Sequence, residues 1–179
     1  MIASKIAGLN LGSRNRAIPD FLSMDCDPHD GVDIVGDISD LSRFADNSVG
    51  EIYASHILEH FPHTKTEAVL KEWLRVIEPG GKLYVGVPDF ARAIEIYSVT
   101  GLRPWITNFL MGDQEYKTAF HYRLFDEESL SFMLRAAGFA DCFRVEYFPI
   151  GDPLDCSNMV SNIDKQSVSL NMIAVKGGL

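Results

Sequence analysis

His56, Glu59 and His60 are three ionisable side chains within five residues, and together they spell His-x-x-Glu-His. In a zinc peptidase this pattern lies inside a long helix, where the two histidines bind the metal and the glutamate acts as general base. Here an apolar, strand-like run over Val49–Ser55 leads directly to His56, and Pro62 follows soon after His60. Because proline interrupts a helix, the zinc-peptidase interpretation is the least favoured one, and we assign no metal ligand.

The same residues fit a second pattern, in which polar groups follow the ends of short apolar strands. Gly12 follows a predicted strand over Lys5–Leu11, and Asp25 ends a predicted strand over Phe21–Asp25. Asp37 comes directly after a third predicted strand, Val32–Gly36. Open α/β sheets bind ligands at the carboxyl ends of their strands. The sequence therefore predicts a ligand crevice at this edge, with the end of the Val49–Ser55 strand beside it.

The remaining periodic segments predict three helices and three further strands. Apolar residues at helical spacing, with turn formers at the ends, predict helices over 64–77, about 89–97 and 126–137. The first of these has Thr64 and Glu67 in the arrangement of a capping box. Alternating or apolar runs predict strands over 82–87, 143–148 and 169–175.

Two of the connections have consequences for the fold. No helix separates the last two strands, so they are expected to pair as an antiparallel hairpin at the edge of a mostly parallel sheet. The first crossover spans only Gly12 to Asp20. A crossover with a full helix needs about 10–12 residues, so this helix is expected to be shortened or absent.

Residues 102–125 form an irregular, aromatic segment that contains His121. Long loops in a compact domain are usually functional, and this one is a candidate cover for a substrate. Its aromatic residues are candidates for lining an acceptor pocket and equally for filling the core beneath the loop. The aromatic residues weighed in this way are Trp105, Phe109, Tyr116 and Tyr122.

Composition sets the broad class. The chain has 179 residues, with 46% hydrophobic and 23% charged residues and a net charge of −9, which predicts one globular domain over residues 1–179. The negative charge argues against nucleic-acid binding, which normally uses a basic face. No apolar run reaches the length of a membrane span. Three widely spaced cysteines and no signal-like start predict a reducing, cytoplasmic location without a disulfide framework.

With these segments in order, the chain resembles the class I S-adenosylmethionine (SAM) dependent methyltransferases, and most closely the small type-11-like methyltransferases of bacteria. The resemblance covers most of residues 5–148, and the ordered set of segments is more specific than any one of them. The segments that carry it are LNLGS at 9–13, MDCD at 24–27, VGDISDL at 35–41, FADNSVGEIYASHILEHF at 44–61, EWLRVIEPGGKLYVGVPD at 72–89 and FDEESLSFMLRAAGF at 125–139.

The resemblance implies a three-layer, Rossmann-like α/β fold with seven strands, SAM as the cofactor, and a small molecule or glycan precursor as the methyl acceptor. It implies no nucleic-acid or membrane partner and leaves the oligomeric state open. In such a fold the cofactor-binding positions of this chain are Gly12, Asp25, Asp37, Ile38, Ser55 and His56, with Asp27 as the alternative to Asp25. Because histidine is the usual proton acceptor near neutral pH, His56 and His121 are the catalytic candidates, with His60 behind them.

One position departs from the family pattern. The first turn of the family commonly reads Gly-Cys-Gly or Gly-Ser-Gly, whereas this chain has Gly12-Ser13-Arg14. A side chain at the third position lies where the backbone should approach the ligand. With the shortened crossover, this departure supports a second hypothesis, in which the chain is a non-catalytic relative that serves as a binding or interaction protein.

Overall fold

The structure is a computed structural model that describes residues 5–116, 118–151 and 154–178. The described strands are β1 (Ile6–Leu11), β2 (Phe21–Asp25), β3 (Ile34–Val35), β4 (Val49–Ser55), β5 (Ile77–Pro88), β6 (Phe139–Val145) and β7 (Ser169–Lys176). The described α-helices are α1 (Thr66–Val76), α2 (Phe90–Thr100), α3 (Pro104–Met111) and α4 (Glu127–Ala137). Short 3₁₀ helices cover Leu58–His60 and Cys156–Asn158.

The strands form one seven-stranded sheet in the order β3-β2-β1-β4-β5-β7-β6. Strands β1 to β5 are mutually parallel, whereas β7 pairs antiparallel with both β5 and β6. The predicted fold class is therefore confirmed, including the antiparallel C-terminal hairpin. The reversal of strand order at β1 and β4 places their carboxyl ends beside each other, which is where such sheets bind ligands.

The two faces of the sheet are covered differently. On one face, α1 and α4 pack over the central strands and bury the largest apolar cluster, which includes Trp73 and Leu134. On the other face, the buried ring of Tyr53 packs with Tyr84, and Ile18 and Phe148 cover them. This second covering comes from the first crossover and from the segment after β6. The first crossover is a turn and extended chain, so its helix is absent as predicted.

Helix α4 shows how the sequence fixes an element from both ends. Asp126 accepts a hydrogen bond from the backbone N–H of Ser129, and the Ser129 hydroxyl accepts one from the backbone N–H of Asp126, which completes a capping box. Leu130 and Leu134 face the core. Gly138 ends the helix at φ 113°, a left-handed conformation that glycine adopts without strain.

Several of the expected boundaries were wrong; β5, for example, begins at Ile77 and not at residue 82. The capping box at Thr64 does not form, because α1 begins at Thr66, and the Thr66 hydroxyl donates instead to the carbonyl of Pro62. Residues 104–111 of the segment expected to be irregular form α3, whose Pro104 stands at a position where helices tolerate proline.

The strand expected over 143–148 is instead β6, Phe139–Val145. Its outer positions are exposed because it is an edge strand, so its sequence lacks the apolar pattern that would have marked it. Phe148 has left the strand and packs edge-on against Tyr53 and Tyr84, with ring centroids 5.5 and 5.7 Å apart. Phe148 and Ile150 therefore pack against the second apolar cluster from outside the sheet.

All three cysteines are free thiols. Among the described residues, no helix is long and apolar enough to cross a membrane.

Candidate functional site

The carboxyl ends of β1, β2, β3 and β4 lie together, joined by backbone contacts. The N–H of Gly12, just after β1, donates to the carbonyl of Met24 in β2 at 2.8 Å. The N–H of Gly36, just after β3, donates to the carbonyl of Asp25 at 2.8 Å. Gly12 also lies against Ile57, two residues beyond the end of β4. The sequence-predicted residues at these four strand ends therefore share one edge of the sheet.

Gly12 is required at its position for two independent reasons. Its φ is +67°, a left-handed conformation that favours glycine. A Cβ atom added there would overlap the side chain of Ile57. The turn after β1 can therefore approach the mouth of β4 only because this residue has no side chain.

Asp25 organises the turn through its buried carboxylate, which is 6% exposed. One oxygen accepts from the backbone N–H of Arg14 at 2.8 Å, and the other accepts from the backbone N–H of Asp27 at 3.0 Å. A carboxylate oxygen can accept more than one hydrogen bond, so these contacts leave acceptor capacity for a ribose hydroxyl. Asp27 itself is exposed at the surface.

Arg14 adopts the backbone conformation of the glycine that it replaces. Its φ is +47°, which is uncommon for a residue with a side chain. The guanidinium lies over the ring of Tyr116, 5.6 Å from the ring centroid, within the range of a cation–π contact. The side chain of Arg14 therefore points toward the aromatic segment, while its backbone adopts the left-handed conformation of the turn.

We expect Arg14→Gly to strengthen SAM binding about three- to tenfold, because it removes a cationic side chain from the turn that the sulfonium cation approaches; the relief of about 1 kcal/mol of left-handed backbone strain should appear in the stability of the free protein. Isothermal titration of SAM into both proteins measures the change. Arg14→Ala is the matched control, since it shortens the side chain but keeps the Cβ atom and the strain. Weaker binding in Arg14→Gly than in the parent would show that the contact with Tyr116 helps to form the site.

Asp37 lines a cavity of about 440 Å³ at the carboxyl ends of β2 and β3. One of its oxygens accepts from the backbone N–H and the hydroxyl of Ser39, and its other oxygen has no hydrogen bond among the described residues. The carbonyl of Ile38 accepts from the indole N–H of Trp73 at 2.8 Å, and the N–H of Ile38 has no backbone acceptor among the described residues. A second cavity, about 560 Å³, lies between α1 and α4, and its lining includes none of the sequence-predicted site residues.

Ser55 is held by the C-terminal loop. Its hydroxyl donates to one oxygen of Asp155 at 3.1 Å, and the hydroxyl of Tyr53 donates to the other at 2.7 Å. The backbone N–H of Ser157 donates to the same carboxylate at 2.6 Å. Burial is the main cause that raises the pKa of Tyr53, so its phenol stays protonated and donates. Asp155 therefore fastens the loop over the end of β4.

His56 turns the chain out of β4 with φ +53°. The Ser169 hydroxyl donates to the carbonyl of Cys156 at 2.6 Å, so at its 2.8 Å contact with His56 Nε2 the hydroxyl oxygen is the acceptor and the ring nitrogen the donor. His56 Nδ1 lies 3.3 Å from Glu59 Oε1. Both ring nitrogens of His56 therefore face partners within the protein.

Glu59, His60 and His121 form a buried group beside His56. Glu59 is fully buried, and neither of its carboxylate oxygens has a hydrogen bond among the described residues. Burial acts to raise the pKa of Glu59, but His56, His60 and His121 outweigh it and hold the pKa below its ordinary value. Burial lowers the pKa of His121, although Glu59 acts against this shift.

The aromatic segment spans the site from the first turn to this histidine group. Tyr116 contacts Arg14 at one end, and the ring of Phe109 in α3 lies 6.4 Å from that of His56. At the other end the backbone N–H of Tyr122 donates to the carbonyl of Glu59 at 2.8 Å. The side chains of Trp105 and Tyr122 are exposed, so they do not fill the core.

Sequence reasoning missed the residues that support the site from a distance in the chain. Asp155 and Ser169 hold Ser55 and His56, and Glu59 joins two histidines 65 positions apart. A glutamate directly after the apolar pair Ile57-Leu58 was the available signal for a buried carboxylate. The link to His121 is a tertiary contact that no local pattern marks.

Residues 17–85 match the family model of a methyltransferase domain. No curated protein sequence matches the chain.

Three similar solved structures are all methyltransferases. A SAM-dependent methyltransferase from Archaeoglobus fulgidus aligns with TM-score 0.62 and 14% identity, over 96% of this chain and 86% of its own. The 1,6-didemethyltoxoflavin-N1-methyltransferase of Burkholderia thailandensis, solved with its substrate and S-adenosylhomocysteine, aligns with TM-score 0.60 and 16% identity, over 97% and 72%. A SAM-dependent methyltransferase from Methanosarcina mazei aligns with TM-score 0.58 and 18% identity, over 99% and 95%.

At these identities the structures show the shared fold, and the family model adds a methyltransferase domain over residues 17–85. The chain therefore shares the fold of SAM-dependent methyltransferases, and its residues 17–85 are similar to a methyltransferase domain.

Proposed function

We propose that this chain transfers a methyl group from SAM to a small molecule or glycan precursor held beneath the aromatic segment, residues 102–125. The observation that carries the proposal is the convergence of the four strand ends on one edge, with that segment reaching from Arg14 to Glu59. A cofactor and an acceptor can then meet between the turn after β1 and the mouth of β4. We propose the cytoplasm as the location, which the free cysteines support.

The residues at the edge fit the cofactor by chemistry. Gly12 leaves backbone without a side chain for the methionine part, and Asp25 has acceptor capacity for the ribose hydroxyls. Asp37 and the N–H of Ile38 offer an acceptor and a donor to adenine, in a cavity within the size range of small-ligand sites. SAM supplies a methyl group on a sulfonium cation, for which an acidic crevice is favourable.

Methyl transfer breaks a carbon–sulfur bond, forms a bond from the same carbon to the acceptor, and leaves a neutral thioether. Most of its catalysis comes from orientation, because the two reactants must be in line. A hydroxyl or ammonium acceptor also loses a proton, and we propose O-methylation with His121 or His56 on the acceptor side. The Nδ1 atom of His121 is buried without a hydrogen bond among the described residues, whereas both nitrogens of His56 face internal partners.

The alternative is a non-catalytic methyltransferase-like protein. The observation that favours it is the state of Asp25, whose two oxygens already accept backbone hydrogen bonds and which is nearly buried. In this alternative the turn after β1 is stable without a ligand, and the edge of the sheet serves as a binding surface.

Titration calorimetry with SAM and with S-adenosylhomocysteine tests the proposal. We expect micromolar binding that weakens about tenfold or more in Asp37→Ala, because a hydrogen bond from the adenine amino group to a charged acceptor is lost. Asp40→Ala is a matched control: Asp40 lines the same cavity and likewise accepts from a serine N–H two residues on. It removes the same charge without the proposed adenine contact.

The outcomes separate the hypotheses. No binding at millimolar cofactor would contradict the enzyme and favour the non-catalytic relative. Binding that weakens equally in Asp37→Ala and Asp40→Ala would reduce the role of Asp37 to its charge alone.

A further inference from the structure

Glu59, His60 and His121 form a partly buried group in which hydrogen-bond acceptor atoms outnumber the donor atoms available to them. The carboxylate of Glu59 is 0% exposed, carries two oxygens without hydrogen bonds among the described residues, and faces histidine rings. His56 Nδ1, at 3.3 Å, is a possible cationic neighbour of this carboxylate, but a buried anion whose oxygens lack hydrogen bonds is still strongly unfavourable. A compensating positive charge is therefore expected close to this carboxylate.

The hydrogen bonds fix which nitrogen of His60 is available. Nδ1 of His60 lies 3.1 Å from the carbonyl of Phe120. A carbonyl can only accept, so Nδ1 carries the proton and Nε2 of the neutral ring presents a lone pair. Histidines that bind metals commonly donate their other N–H to a backbone carbonyl in this way, which orients the ring.

His121 completes the set from the aromatic segment. Its Nε2 lies 4.0 Å from Glu59 Oε1, and its ring meets that of His60 edge-on with centroids 4.7 Å apart. One ligand atom from each of Glu59, His60 and His121 lies within 4.8 Å of the other two. Ligand atoms around a tetrahedral zinc ion are about 3.3 Å apart, from bonds of about 2.0–2.1 Å. A shift of about an ångström or so in each side chain would bring them to that spacing.

We propose that Glu59, His60 and His121 bind a divalent transition-metal ion, with Zn²⁺ the best match. Two imidazoles and one carboxylate are zinc ligands, whereas Mg²⁺ and Ca²⁺ prefer oxygen ligands alone. The arrangement differs from the peptidase pattern, because Glu59 is a ligand here and His56 is not. The Nδ1 atom of His56 instead contacts the Glu59 carboxylate, and its Nε2 atom is hydrogen-bonded to the Ser169 hydroxyl.

The ion would tie the aromatic segment to the mouth of β4. The segment is already joined there by two hydrogen bonds, from Tyr122 N–H to the carbonyl of Glu59 and from His60 to the carbonyl of Phe120. A metal bond to His121 adds a cross-link between positions about 60 residues apart in the chain. A metal-bound His121 cannot also accept a proton, so this proposal replaces the base role of His121 and is independent of cofactor binding.

Metal analysis of the full chain, purified without an affinity tag, tests the site. We expect about one zinc per chain in the parent, and little in His60→Ala, His121→Ala and Glu59→Gln. A hundredfold excess of zinc over its Kd should raise the Tm of the metal-stripped parent by about 5 °C or more, because the ion binds only the native state. Cobalt substitution gives a second readout, the visible absorption of a four-coordinate site.

Two control variants exclude adventitious binding. His63→Ala removes an exposed histidine just after the 3₁₀ helix, and His29→Ala removes the histidine of a second, largely exposed group with Asp25 and Asp27. Both should keep the zinc. Zinc loss in the control variants alone, or no bound zinc and no Tm shift in a parent that is folded by circular dichroism, would overturn the proposal. Glu59→Gln keeps the side-chain volume, so a folded Glu59→Gln protein that still binds zinc stoichiometrically would also overturn it.

Discussion

Gly12→Ala should destabilise the protein by about 2–5 kcal/mol and weaken SAM binding at least tenfold. The added methyl group overlaps the side chain of Ile57, and forcing extra atoms into a packed site costs about 1–3 kcal/mol. Alanine must also adopt φ +67°, which costs about 1–3 kcal/mol for a residue with a side chain. A shift of the Ile57 side chain would reduce the first cost, whereas relief of both costs requires the turn to move away from β4, which would open the proposed cofactor site. Urea unfolding and titration calorimetry measure the two effects.

A double-mutant cycle with Ile57→Ala separates the two costs. Shortening Ile57 removes the atoms that the new methyl group meets, but it leaves the backbone conformation of residue 12 unchanged. The double variant should therefore recover part of the stability lost in Gly12→Ala, with a coupling energy of about 1–2 kcal/mol. A Gly12→Ala protein as stable as the parent would mean that the turn can move freely, and then Gly12 would not join β1 to β4.

Local patterns predicted the elements whose buried faces and ends are both marked in the sequence. Strands β2 and β4 have the predicted bounds, and α4 has the predicted caps at Asp126 and Gly138. In each of these, the periodicity of apolar residues and the turn formers at the ends indicate the same boundary. Agreement between independent local signals is what made these boundaries predictable.

Where the local signals conflict, tertiary packing decides. Thr64 and Glu67 have the spacing of a capping box, but Pro62 accepts from the Thr66 hydroxyl and α1 starts two residues later. Phe148 belongs to an apolar run that reads as a strand, yet its ring fills the second face of the sheet beside Tyr53. Neither outcome can be read from nearest neighbours in the chain.

Some residues of the candidate site could also be predicted from local sequence patterns, and others could not. Glycine and aspartate at strand ends could be predicted, since the edge of a parallel sheet gathers the residues that follow each strand. The contacts of Asp155 with Ser55 and of Glu59 with His121 join segments 60 or more residues apart. They depend on how the C-terminal loop and the aromatic segment fold back, so they required the structure. The ordered resemblance to methyltransferases supplied the expected roles, and the structure adds which side-chain atoms already have hydrogen-bond partners within the protein.

Asp25→Ala should lower the free energy of unfolding by about 1–3 kcal/mol and abolish measurable SAM binding. The carboxylate of Asp25 satisfies the backbone N–H groups of Arg14 and Asp27, and leaving such donors unpaired costs about 1–3 kcal/mol where water cannot replace the acceptor. The same change removes the proposed acceptor for the ribose hydroxyls. Thermal unfolding and SAM titration on one protein preparation give both numbers.

Asp27→Ala is the matched control, because Asp27 is exposed, carries the same charge and is the alternative ribose partner. Asp27→Ala should change the free energy of unfolding by less than about 0.5 kcal/mol. SAM binding should stay within about twofold, because the backbone N–H of residue 27 still donates to the carboxylate of Asp25. Asp25→Asn tests the turn more finely: its carbonyl can accept one of the two N–H groups, but its amide then faces the other. We therefore expect Asp25→Asn to lie between the parent and Asp25→Ala in stability. If Asp27→Ala loses SAM binding while Asp25→Ala loses only stability, then Asp25 is the support of the turn and Asp27 is the ribose partner.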